Sequence, residues 1–434
     1  MLKKIIVHIL TWEARAVLKR HQPRIIAVTG SVGKTSTKDA IFAALSDHLH
    51  VRKSEKSFNS EIGVPLTILG LDNAWHNPVK WLWNIIRGLL VVIRPARYPD
   101  WLVLEVGADR PGDIRSIASW LRPDIALITG IPEIPAHVEY FDSPEALLRE
   151  KSALIEHLKP GGTFIVNGDD PRIRDLRSKY PGLCVTYGLS PENEYSASHE
   201  EILYENGAPI GIRFRIEVHT KTPSPEVSVP VSLTGALGRP RVYAALAALT
   251  TAGAAGIDAV SAAGDLSYWE PSPGRLRILR GIRGSTIIDD TYNSSPAAAL
   301  AALDTLTSIQ TKGRKIAIMG DMLELGKYSA DAHRTVGVRA AACADMLLTV
   351  GFRARAIGEA ALDAGMPDTH IREYEQNESV RAGKELEPEI QEGDIVLIKG
   401  SQGIRMEKTV LEIMAEPDRA SELLVRQDPE WLDR

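Results

Sequence analysis

The residues Gly30-Ser31-Val32-Gly33-Lys34-Thr35-Ser36 have the types and spacing to hold a polyphosphate. Glycines let successive backbone N–H groups converge on phosphate oxygens at the positive end of a helix. Lys34 supplies a point charge for the outer phosphates and Thr35 a hydroxyl for magnesium, while Ser31, Val32 and Ser36 complete the cradle. Val28 stands where the full pattern has another glycine, so this is a shortened version. A bare Gly-rich turn with a surface lysine would look similar. A strand before the loop and a helix after it favour a nucleotide site.

The elements that must position this loop are legible. Ile25-Ile26-Ala27-Val28-Thr29 is a short β-branched run, as expected of a buried parallel strand, and a helical pattern opens at Lys34. Further strand-like runs lie at Trp101 to Val106, Asp124 to Thr129 and Thr163 to Val166. Between the last two, Ser143 is a candidate N-cap, Pro144 sits at the first helical position, and Gly161 is expected to close the helix. Strands alternating with helices imply an α/β fold with a mostly parallel sheet. Residues 210–218 and 227–233 alternate apolar with polar after a turn signal at Asn206-Gly207, which predicts a small antiparallel section with one wet face. An Ala-rich helix follows from about Arg241. The α/β alternation resumes with strands expected at Ser285 to Ile288, Lys315 to Met319, Met346 to Val350 and Asp394 to Ile398. Pro271-Ser272-Pro273-Gly274 reads as a boundary. The expected domains are an N-terminal helix over 1–23, a nucleotide-binding unit over 24–272 and a Rossmann-like C-terminal unit over 273–434 with a polar tail.

With 434 residues the chain is too long for a single hydrophobic core. A net charge of -5 excludes a generally basic nucleic-acid-coating protein, and no nucleic-acid partner is expected. Two cysteines, Cys184 and Cys343, cannot build a disulfide framework, which points to a reducing cytoplasm. No apolar run reaches the ~20 residues of a spanning helix.

Several separated motifs extend the reading. They are Thr29 to Thr35, Asn59-Ser60-Glu61-Ile62-Gly63-Val64-Pro65, Leu104-Glu105-Val106-Gly107-Ala108, Asn167-Gly168-Asp169-Asp170, Pro273-Gly274-Arg275, Asp289-Asp290-Thr291-Tyr292-Asn293, Gly320-Asp321-Met322-Leu323-Glu324-Leu325-Gly326 and Lys399-Gly400-Ser401. In this order they resemble the Mur ligase family, the ATP-dependent enzymes that build the peptide of peptidoglycan, and most its D-alanyl-D-alanine-adding branch. The resemblance implies that ATP phosphorylates a peptide carboxylate, an amine attacks the acyl phosphate, and phosphate leaves. It implies D-Ala-D-Ala or a similar amine and a muramoyl-peptide-like acceptor. Lys34, Glu105, His137 and Lys151 would be the catalytic set. Thr35 and Glu105 would hold the Mg2+ that bridges the ATP phosphates. His137 would help hold a second, and Lys151 would join the metal set as a carbamate, an oxygen ligand suited to a hard cation. Arg275 and Asp290 would reach the phosphate and ribose of ATP. Asn293, Ser294 and Ser295 would meet the amine.

The chain also departs from the family. Only 23 residues precede the first strand where members carry a uridine-nucleotide-binding domain, so the usual grip on UDP is expected to be absent. The family's His-Asn-x-x-Asn motif appears as Pro240-Arg241-Val242-Tyr243-Ala244, so the adenine contacts must differ. Gly130 to Pro135 departs from the usual approach to the histidine. Residues 74–100 add a Trp-rich basic insertion. Over 79–94, drawn as a helix bracketed by Pro78 and Pro95, Lys80, Asn84, Arg87 and Arg94 form a narrow polar strip. A wide apolar arc including Trp81 covers the rest. It would meet the protein's own domains, a second subunit, or the inner face of a membrane. Two other functions remain open: a related ligase with another acceptor, of folyl-polyglutamate or cyanophycin type, and a nucleotide-binding scaffold without turnover. The oligomeric state is not legible.

Overall fold

The structure is a computed structural model that describes residues 2–55, 57–93, 97–219 and 227–432. Nine strands form the first sheet: β1 (Arg24–Thr29), β2 (Val51–Lys53), β3 (Trp101–Glu105), β4 (Ile125–Ile128), β5 (Thr163–Asn167), β6 (Leu183–Gly188), β7 (Tyr195–Glu205), β8 (Ala208–Val218) and β9 (Val227–Thr234). Their spatial order is β2-β3-β1-β4-β5-β6-β7-β8-β9. Pairing is parallel from β2 to β7 and antiparallel from β7 to β9. The antiparallel section is therefore the far edge of the central sheet and not a separate piece. A short parallel contact, Tyr187↔Tyr195 and Gly188↔Ser196, makes the join.

Helices α1 (Leu2–His21), α2 (Lys34–Ser46), α3 (Gly63–Leu69), α4 (Pro78–Ile93), α5 (Asp113–Leu121) and α6 (Pro144–Glu156) accompany the first six strands. The pleat of β1 sorts its side chains. Ile25 and Ala27 pack on one face with Leu10 and Val17 of α1. Ile26 and Val28 pack on the other with Ile41 and Leu45 of α2 and the Ala-rich helix Arg239–Ala254. Ser143 caps α6 as expected, accepting from the Ala146 N–H. The helix ends at Glu156, so Gly161 does not close it; Gly161 turns the chain into β5 instead.

The second sheet holds β10 (Arg277–Arg280), β11 (Thr286–Asp290), β12 (Lys315–Gly320), β13 (Met346–Val350), β14 (Ile371–Tyr374) and β15 (Ile395–Lys399), in the order β10-β11-β15-β12-β13-β14. Only β10 runs antiparallel.

Helix α4 is oriented against the expected pattern. Asn84 does not share an exposed strip with Lys80 and Arg87; it is buried and donates to the Asp72 carbonyl at 2.8 Å. Trp81 likewise turns partly inward, its indole N–H donating to the Trp75 carbonyl at 2.9 Å. Arg94 and Pro95 lie outside the described residues. Gly88 explains the close approach of α1, because a Cβ there would meet Glu13 Oε2 at 2.1 Å.

Glu13 is fully buried in this seam, and among the described residues neither carboxyl oxygen has a hydrogen-bond partner. Burial pushes its carboxyl up to about 7. An acid whose folded value is raised favours the folded state at low pH, and that advantage fades as pH rises from its ordinary value through 7. Glu13→Gln is therefore expected to remove about 2 kcal/mol of stability loss between pH 5 and pH 8. Urea unfolding at the two pH values checks it, and an equal pH dependence in both proteins would refute it.

Candidate active site

The phosphate loop leaves the carboxyl end of β1, where the strand order switches sides, the usual ligand position of an open α/β sheet. Gly30 has φ of 142°, and a Cβ there would lie 2.0 Å from Thr129 Oγ1. That close approach lets β4 hold the loop. Ser31 N–H donates to the Gly130 carbonyl at 2.8 Å, and Thr129 Oγ1 donates to the Val32 carbonyl at 2.5 Å. Gly33 precedes α2, and no side chain caps the helix, so its first N–H groups stay open to a ligand.

The pairing Val28↔Glu105 sets the end of β3 beside the loop. Thr35 Oγ1 donates to Glu105 Oε2 at 2.7 Å, and Asn59 Nδ2 donates to Oε1 at 2.8 Å. The Ser57 and Thr35 hydroxyls are 3.2 Å apart. Lys34 lines the same cleft; burial lowers its pKa, and the Glu105 carboxylate opposes that.

The second sheet supplies the opposite wall of a cleft of about 300 Å³. Arg275 donates to Thr35 Oγ1 at 2.9 Å and stacks on Tyr292 at 4.1 Å, while the Tyr292 hydroxyl donates to Ser57 at 2.7 Å. Asp290 ends β11 and Lys399 ends β15. Lys399 Nζ donates to Asp290 at 2.6 Å and to the Asn293 carbonyl at 2.8 Å. Asp290 thus sits in a buried ion pair. Asn293, Ser294 and Ser295 share this wall, and the Ser294 hydroxyl is buried without a partner. Two further clefts adjoin. One, of about 820 Å³, runs from Thr35 and Ser57 to Trp75 and Trp431. The other, of about 730 Å³, lies between His137, Asn293, Ser294 and Glu324.

His137 lines the cleft, its Nδ1 2.5 Å from Glu324 Oε2. Both residues have left-handed backbones, φ of 67° and 63°, a conformation costing about 1–2 kcal/mol for each such residue. Lys151 is set by its neighbour. Glu150 accepts from the Gly112, Ile114 and Arg115 N–H groups and so ties α6 to the start of α5. Lys151 is then fully buried behind the loop, donating to the Gly30 carbonyl at 3.0 Å. Burial, and then the charge of Lys34, hold its pKa well below the usual lysine value.

Of the four expected metal ligands, the structure brings Thr35 and Glu105 into contact, while His137 pairs with Glu324 and Lys151 with Gly30. Among the described residues no group of three or more His, Cys, Asp or Glu side chains forms a metal cage. Asn59, Ser57, Tyr292, Lys399 and Glu324 were not assigned roles from sequence. Four of them lay inside the quoted motifs, and a lysine ending the apolar run Ile395–Lys399 was itself a signal. Asn167-Gly168-Asp169-Asp170 is scaffolding: Asn167 donates to the Thr129 carbonyl, and Asp169 accepts from Tyr243 and Asn193. Where the family's amide motif stood, Arg241 stacks on Trp269 at 3.8 Å, and both line the cleft.

The Mur ligase middle domain matches residues 28–79 and 88–252, and the Mur ligase, glutamate ligase domain matches 274–402. The chain is 31% identical over 405 residues to the UDP-N-acetylmuramoyl-tripeptide–D-alanyl-D-alanine ligase of Bacillus subtilis (strain 168), covering 93% of this chain and 79% of that protein. The Synechocystis protein of the same name is 29% identical, with 90% and 75% covered. Among solved structures, MurF from Acinetobacter baumannii aligns with TM-score 0.75 at 24% identity, covering 93% and 79%. MurF from Thermotoga maritima in complex with ADP aligns with TM-score 0.74 at 24% identity, covering 95% and 84%. These two establish the shared fold. With both family domains matched and a relative above 30% identity, the chain belongs to the Mur ligase family of ATP-dependent ligases.

Proposed function

We propose that this protein adds D-Ala-D-Ala, or a similar short amine, to the carboxylate end of a muramoyl-tripeptide precursor in the cytoplasm. The observation that carries the reading is Arg275 of the second unit reaching Thr35 of the phosphate loop. It supports a site for the outer phosphates between the two units, with the 820 Å³ and 730 Å³ clefts on either side. The larger cleft takes the acceptor, and the other takes the amine beside Asn293, Ser294 and Ser295.

Lys34 and Arg275 hold the γ-phosphate in line with the acceptor carboxylate. The carboxylate oxygen attacks phosphorus and ADP leaves; the amine nitrogen then attacks the carbonyl carbon, and phosphate leaves with the acceptor's oxygen. Thr35 and Glu105 offer two oxygens 2.7 Å apart, a donor set that fits Mg2+. Mg2+ held there would neutralise negative charge on the ATP phosphates. His137 and Lys151 are the further proposed ligands, Lys151 after carbamate formation. Asn59 keeps Glu105 aimed at the loop. Lys399 orients Asp290 toward the ribose, and Arg241 with Trp269 takes the base end.

A coupled phosphate assay tests the reading. ATP with muramoyl-tripeptide and D-Ala-D-Ala is expected to release one phosphate for each amide formed, and omission of either substrate should stop release. Release that ignores both substrates, or that needs a folate or an acidic polypeptide instead, would defeat it.

A further inference from the structure

We infer that α4 is a docking surface for an anionic lipid bilayer, lying flat in the headgroup region. The helix is apolar on both sides: Trp81, Val91 and Val92 pack on the core, yet the opposite side is apolar as well. The residues turned into the protein include Asn84 and Gly88, both buried. The residues turned outward are large and apolar: Leu82, Trp83, Ile86, Leu89, Leu90 and Ile93, from 37% to 67% exposed. At about 100° per residue they fill an arc of about 120° directly opposite Asn84 and Gly88. The exposed Lys80 and Arg87 border one side of that arc. Scattered apolar residues on a surface are ordinary, but a contiguous helical face of this kind marks an interaction site.

Charge selects the occupant. Helices α1 and α4 together carry seven Lys and Arg residues against one acid, Glu13, in a chain of net charge -5. Glu13 is buried in the seam between the two helices. Helix α1 also leaves Ile5 and Trp12 exposed, seven residues apart on one stripe. Apolar residues with an indole on the outer face and cations at the flank are what an interfacial helix presents to anionic headgroups. Among the described residues no helix is long and apolar enough to cross a membrane, so the contact is peripheral. Arg20 donates to the Ile93 carbonyl at 2.9 Å, which fixes the end of α4 to α1 and presents the face as a rigid element. The middle-domain match breaks at residues 80–87, so this half of α4 is not part of the family pattern. Asn73 and Trp75 line the 820 Å³ cleft just before α4 begins, and docking would hold that cleft close to the headgroups.

The test is co-sedimentation of the full chain with vesicles of phosphatidylglycerol and phosphatidylcholine, and with phosphatidylcholine alone. Wild type is expected to bind the anionic vesicles at least tenfold better, with the preference weakened by salt. Leu82→Glu plus Leu90→Glu should lower that binding at least tenfold while leaving circular dichroism and soluble-substrate turnover unchanged. Lys80→Glu plus Arg87→Glu should erase the preference for anionic vesicles. Negligible binding by wild type, or equal binding by the leucine variant, would overturn the inference. So would a wild-type dimer in light scattering that the leucine variant converts to monomer, since a second copy would then own the face. The vesicle-binding and light-scattering readouts do not depend on which acceptor the ligase uses, so docking and ligase activity can fail separately.

Discussion

Lys34→Ala is expected to reduce ATP-dependent turnover by about a thousandfold while the protein stays folded. Lys34 opens α2 from a loop and lines the cleft, so no core contact depends on it. Its ammonium is the point charge that meets the outer phosphates as negative charge shifts during phosphoryl transfer. Burial strengthens that interaction, because a charge taken out of water acts through a lower effective dielectric. Arg275 does not substitute for it, because it approaches from the opposite wall beside Thr35 and Tyr292 and not from the loop. Steady-state phosphate release, with thermal unfolding as a folding control, makes the measurement. Turnover within tenfold of wild type in a folded variant would remove Lys34 from the proposed machinery.

A comparable loss is expected for Lys151→Ala, with partial recovery on adding a small carboxylate such as acetate. Carbon dioxide reacts with a neutral amine and not with an ammonium. Burial, and then the charge of Lys34, lower the Lys151 pKa, which raises the share of neutral amine open to carbon dioxide. Lys151→Arg keeps a cation near Gly30 but cannot become a carbamate, and it is expected to be as inactive as the alanine variant. A purely structural lysine would behave differently: arginine would retain activity and acetate would restore nothing. Activity recovered by arginine and not by acetate would therefore contradict the carbamate.

The parts of the fold that could be read in advance share a physical basis. β1, β3, β4 and β13 are buried runs whose apolar and β-branched residues leave little choice of conformation. The start of α6 was legible because Ser143 and Pro144 are local signals. The edge strands β2 and β14 were not. β2 is three half-buried residues ending in two cations, and β14 mixes charge with apolar residues. Their pairing depends on neighbours distant in sequence. The same distinction divides the site. The phosphate loop is a local pattern, and the residues it needs from β3 lie in a motif of their own. The His137–Glu324 and Arg275–Thr35 contacts join segments from different sheets, which no spacing reveals. For α4, periodicity exposed an amphipathic helix but not which side faces inward. Gly88 against Glu13 decided that through close packing.

Ligation through an acyl phosphate moves one oxygen from the acceptor carboxylate to the released phosphate. Acceptor tripeptide labelled with ¹⁸O in its terminal carboxylate is incubated with ATP, D-Ala-D-Ala and the wild-type protein, and the released phosphate is analysed by mass. Phosphate carrying one ¹⁸O atom for each amide formed is the predicted result, because the carboxylate oxygen leaves with the phosphoryl group. Unlabelled phosphate released as ATP is consumed would mean that water and not the acceptor carboxylate attacks the γ-phosphate, and would rule out the acyl phosphate.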